Sequence, residues 1–109
     1  MSFFQSLFGP DINEGVAEAH ATAGAVLIDV RTPQEFAAGH IEGAVNIPVS
    51  AIDQVARAVE DKATPLFVYC ASGARSGSAC QALARMGYAS AQNIGGIGRW
   101  NGEIVQGGK

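Results

Sequence analysis

The sequence predicts an α/β fold built around a parallel sheet, and three observations carry that prediction. Apolar, β-rich runs at residues 25–30 and 66–70 are too short for helices and read as strands, the first of them buried on both faces. Segments with helix-start signals or helical spacing lie between and after them, at residues 32–38, 50–61 and 79–86. The second run stops at Cys70, in a turn of small residues leading to a helix, and open α/β folds place ligand sites at such strand ends.

Each element has a local cause. Residues 10–13 read as a short edge strand, with Asn13 capping a helix that runs to about residue 22 and Glu14 suiting its first turn. His20 falls near the end of that helix, facing solvent. Thr32, Pro33 and Glu35 form a capping box with proline at the first helical position, and Gly39 ends that helix. A turn at residues 39–44 leads to a short strand that Pro48 ends, and His40 reads as a packed, hydrogen-bonded residue rather than a base. Ser50 caps a helix to about residue 61, with Ile52, Val55, Ala56 and Val59 on its apolar face. In the helix after Cys70, Ala79, Leu83 and Met86 share a face and Gly87 stands at the C-terminus. Residues 91–94 are the last strand. Gly95, Gly96 and Gly98 make a permissive turn into a short helix, and Trp100 is a packing anchor.

At 109 residues the chain is one domain, read as an apolar segment at 1–9, the domain at 10–105 and a frayed tail at 106–109. A net charge of −3 without a basic stripe argues against nucleic acid as a partner, so any anion site must be local. Phe3, Phe4, Leu7 and Phe8 suit packing on the domain or a partner contact; the run lacks the cations of a signal peptide or membrane foot. No stretch approaches transmembrane length. Two cysteines ten positions apart do not make a disulfide framework, which points to a reduced, cytoplasmic protein. No metal-ligand spacing occurs, and no cofactor is expected.

The turn after Cys70 favours a thiolate. Ala71, Ser72, Gly73 and Ala74 are small enough for the backbone to curl around the sulfur with its N–H groups facing inward. The positive end of the next helix and the Arg75 guanidinium add to this, and the thiolate is the nucleophilic form of cysteine. The plain alternative is a buried cysteine that ends a strand. Asp29 and Arg31, at the end of another strand, read as an ion pair and loop clamp.

Together Asp29-Val30-Arg31, Glu35-Phe36, the run from Gly39 to Pro48, Val68-Tyr69-Cys70 with its loop to Ser76, and Gly95-Gly96 followed by Trp100 resemble the single-domain rhodaneses, which are sulfurtransferases. The likeness runs in the family's order from about Val26 to Trp100. It implies a five-stranded parallel sheet flanked by helices on both faces. It further implies that Cys70 accepts sulfur as a persulfide, and that Ala71, Ser72, Gly73, Ala74, Arg75 and Ser76 form the loop that binds it. Asp29 and Arg31 would support that loop, with Gly95, Gly96 and Trp100 packed near it. The donor would be a molecule such as thiosulfate, the acceptor cyanide or a thiol, with a protein sulfur donor or acceptor as the other option.

Three rivals stand beside this. A cysteine phosphatase shares the strand–loop–helix logic, but the four residues between Cys70 and Arg75 make the loop one residue short. A partner-binding module of the same fold usually lacks the cysteine, which is kept here. A persulfide carrier serving a biosynthetic partner would have the same loop chemistry. Cys80 reads as core filler, with a resolving thiol as the alternative.

Overall fold

A computed structural model describes residues 9–108; the apolar segment at 1–8 and Lys109 lie outside the described residues. The order of elements is helix α1 (Ile12–Ala21), strand β1 (Val26–Asp29), helix α2 (Pro33–Ala38), strand β2 (Val45–Asn46), a 3-10 segment (Val49–Gln54) running into helix α3 (Val55–Ala58), strand β3 (Leu66–Cys70), helix α4 (Ala74–Arg85), strand β4 (Ala91–Gly96) and a 3-10 turn (Ile97–Arg99). All strand pairs are parallel, in the order β2-β1-β3-β4.

Among the described residues the sheet therefore has four strands, not five. The strand expected at residues 10–13 does not form. Asp11 takes the cap of α1 instead, its carboxylate accepting the Asn13 amide at 2.9 Å. Pro10 has no amide to offer a sheet, so the local cap wins over pairing. Asn13, expected as the cap, reaches across the fold: its side chain donates to the Arg99 carbonyl and accepts from the Asn101 amide.

Alternation along β1 and β3 sends side chains to two cores. Ile28, Leu66, Val68 and Cys70 pack with Val55, Ala79, Leu83 and Tyr88 on the α3–α4 side. Leu27, Phe67 and Tyr69 pack with Ile12, Val16 and Ile94 on the α1 side. Helices thus cover both faces, and β3 is buried at all five residues.

Two local features depart from expectation. The helix expected at 50–61 is broken: Ala51 adopts φ −123° and ψ 29°, and no side chain caps Val49–Gln54. Val55 and Val59 still reach the core, while Ala56 faces solvent. The Thr32–Glu35 capping box is present in full. α4 ends as its sequence suggests, Gly87 at φ 102° with the Tyr88 amide on the Leu83 carbonyl and the Gly87 amide on that of Ala84. Beyond it, β4 carries a bulge: Val68 pairs with Asn93 but Tyr69 with Gly95, leaving Ile94 as the extra residue.

Where fraying is expected at the tail, Gln106 and Gly107 bond the carbonyls of Ala38 and Ala37. Val105 exchanges both backbone hydrogen bonds with His40.

Candidate active site

β3 delivers Cys70 to the sheet's carboxyl edge, where α4 begins. The turn between them is set by Gly73, whose φ of 102° lies in the left-handed region. This aims two amides at one atom. The Gly73 amide lies 3.0 Å from Cys70 Sγ and the Ser76 amide 3.3 Å; the Ser76 hydroxyl, at 3.4 Å, has one proton and a nearer acceptor in Asn93 Oδ1. Ser76 is in the first turn of α4, where amides have no partner within the helix. The sulfur is that partner, in the place where a cap oxygen would otherwise stand.

The electrostatics follow from this geometry. Burial pushes the Cys70 thiol up, but the Ser76 hydroxyl and the amides of Ser76, Ser72 and Gly73 outweigh it, so the group sits below its ordinary value. The direction is that of a stabilised thiolate. Cys70 itself is only 1% exposed, enclosed by the loop that follows it. Cys80 has no such donors, and burial pushes its thiol up to about 11.

A second layer fixes the loop. Asn93 accepts the Ser76 hydroxyl at 2.7 Å and the Gly95 amide at 3.0 Å, and donates to the Gly73 carbonyl at 3.1 Å. Gly96 lets β4 pass against the loop, since a Cβ there would lie 2.4 Å from the Ala71 carbonyl oxygen. A cleft of about 370 Å³ flanks the loop, lined by Ala71, Ser72, Gly73, Asn93, Gly96 and Arg99 among others.

The remaining anticipated residues lie apart from the sulfur's hydrogen bonds. Asp29 and Arg31 form a buried pair at 2.7 Å, and Arg31 also donates to the Gly39 carbonyl, so the pair clamps the loop after α2. Arg75 turns toward α2, where its Nη1 and Nη2 meet the Glu35 carboxylate at 2.8 and 3.1 Å. With help from the Thr32 amide, this guanidinium holds the Glu35 carboxyl at about 2. His40 stacks on Phe36 at 3.6 Å between centroids, and its Nδ1 lies 2.8 Å from the Phe36 carbonyl, away from the sulfur. Trp100 packs against the α1-side core and donates to the Glu103 carbonyl. Among the described residues, no group of three or more potential ligands is placed to hold a metal, and no helix is long and apolar enough to cross a membrane.

Two residues at the site escaped the sequence analysis. Asn93 is brought to the loop by the bulge, a feature of strand pairing with no local signature. Glu35 was legible as a helix cap but not as the partner of an arginine forty positions away.

Fold and site together define a parallel α/β domain that holds a cysteine sulfur among backbone amides at a strand end. The model of the rhodanese-like domain family matches residues 13–103, and the chain belongs to that family. It is 42% identical over 71 residues to the thiosulfate sulfurtransferase PspE of Escherichia coli K12, covering 64% of this chain and 68% of that one. It is 37% identical over 89 residues to the thiosulfate sulfurtransferase GlpE of Pseudomonas entomophila, covering 77% and 81%. Among solved structures, a rhodanese with anions from E. coli superposes with a TM-score of 0.71 at 38% identity, over 76% of this chain and 99% of that one. The human single-domain sulfurtransferase TSTD1 gives 0.70 at 31%, over 84% and 95%. The chain is an enzyme of the rhodanese, sulfurtransferase type.

Proposed function

We propose that the chain moves sulfane sulfur from thiosulfate to cyanide or a thiol through a persulfide on Cys70. Cys70 S⁻ attacks the outer sulfur of thiosulfate; the new S–S bond forms as the old one breaks, and its electron pair leaves with sulfite. The three negative charges of the reactants become persulfide monoanion and sulfite dianion, so no redox partner is needed. Attack by cyanide on the terminal sulfur returns the thiolate and releases thiocyanate. This is two-step covalent catalysis. No proton shuttle is required when the nucleophile reacts as its thiolate and the leaving group is a stable anion.

The observation that carries the reading is the convergence of the Gly73 and Ser76 amides on one sulfur. The same donors suit the persulfide, with Ala71, Ser72, Ala74 and Arg75 completing the loop, while Asp29 and Arg31 hold the neighbouring loop at Gly39. The thiosulfate sulfurtransferase names of the bacterial relatives point to the same donor. The short loop disfavours a phosphate ester, and two unbridged thiols fit a reducing compartment such as the cytoplasm.

Intact mass after incubation with thiosulfate is the test. The protein gains one sulfur atom on Cys70, and Cys70→Ser gains none. A persulfide on Cys80, or none at all, overturns the assignment.

A further inference from the structure

Arg75, whose charge interacts with Cys70, and Arg31 are held in different ways. Arg31 is buried, 6% exposed, and its Nε and Nη2 are committed to Asp29 and the Gly39 carbonyl. Arg75 lies two positions into α4, with its side chain and that of Glu35 each more than a third exposed. A dianionic donor approaching the sulfur meets an arginine whose two terminal nitrogens are already taken by a carboxylate. That carboxylate belongs to α2, so the pair spans two elements and is exchangeable in a way that Arg31 and Asp29 are not.

We propose that Glu35 is a specificity-determining residue, which by pairing with Arg75 withdraws the loop's cation from strongly anionic sulfur donors. The site is thereby matched to donors of lower charge, such as monoanionic organic persulfides. Thiosulfate is used only in competition with the Glu35 carboxylate. This rests on the sulfurtransferase reading above, but the charge discrimination is a property of Cys70 reactivity toward any reagent.

The Gln variant suits the test, since a Gln amide oxygen still accepts the Thr32 amide and keeps the cap while the charge is gone. The full-length wild type, E35Q, R75Q and the double variant are alkylated at low salt with iodoacetate, an anion, and with neutral iodoacetamide, and the rates are mapped to Cys70 by mass spectrometry. Expected is a rise of roughly two- to fivefold in the iodoacetate-to-iodoacetamide ratio for E35Q, the size of a partly exposed ion pair. The same variant lowers KM for thiosulfate while kcat holds. Both effects vanish on the R75Q background. An unchanged or lower ratio in E35Q overturns the proposal, as does an equal rise without Arg75, which would reduce Glu35 to simple repulsion. Should the ratios behave as expected while wild type takes no sulfur from thiosulfate, the donor assignment fails and the role of Glu35 in charge selection stands.

Discussion

At Cys70 a helix's first-turn amide serves a sulfur as it ordinarily serves the oxygen of a Ser or Asp cap, and the chemistry of the site is settled by a few such bonds. Because the folded value of Cys70 lies below that of a free thiol, its thiolate fraction near neutrality exceeds that of an unfolded chain. By linkage, the stability this contributes is present above the unfolded thiol value and is lost as pH falls through the folded one. Iodoacetamide rates across pH should therefore give Cys70 a midpoint below the usual thiol range, with Cys80 reacting only at much higher pH. A single midpoint shared by both cysteines would contradict this. Asn93→Ala removes the acceptor of the Ser76 hydroxyl and the donor to the Gly73 carbonyl. It should cost about 1–3 kcal/mol of stability from the part-buried groups left unpaired, read by urea unfolding against wild type.

Elements place these residues, and they differ in how openly the sequence declares them. The run from Leu66 through Gly87 was legible from end to end, because an apolar strand, a small-residue turn and a glycine-terminated helix are each dictated by near neighbours. The capping box of α2 was legible for the same reason. The bulge in β4 was not, since one extra residue shows only against a paired strand, and with it Asn93 was hidden. The break at Ala51 was likewise silent, because apolar spacing at Val55 and Val59 persists through it. Two expectations belong to this scale. Gly96→Ala would drive a methyl into the Ala71 carbonyl, where a Cβ lies at 2.4 Å; it should cost about 1–3 kcal/mol and slow persulfide formation together. Glu35, held at about 2 mainly by Arg75, contributes stability above its unfolded value that is lost as pH falls toward 2. The pair is partly exposed and screened, so acid titration of E35Q against wild type should differ by about 1 kcal/mol or less.

For the molecule as a whole, the sheet is the partition between two cores, and β3 contributes to both. Unfolding one side strips the other, so the domain should melt in one step. Trp100, the only tryptophan, packs against the α1-side core and so reports on it, while far-UV circular dichroism reports on all the helices. The two signals should trace coincident urea transitions; separate midpoints would show that the layers unfold independently. The parallel α/β class could be read from the alternation of elements, and the order of strands could not, because order depends on which chain ends meet in space. The strand count erred for one residue's reason: Asp11 satisfied its neighbour locally and left nothing for a sheet edge.

The exchange of hydrogen bonds between His40 and Val105, with Gly107 held to Ala37, acts as a staple on the back of a six-residue helix that also carries Glu35. Proteolytic clipping ahead of Val105 would release that staple while leaving the strand and turn that hold the sulfur untouched. The clipped enzyme should then drift part of the way toward the behaviour of the charge-neutral variant, welcoming anionic reagents more readily because the helix bearing the counter-charge keeps only its Arg31–Gly39 clamp and the buried Phe36.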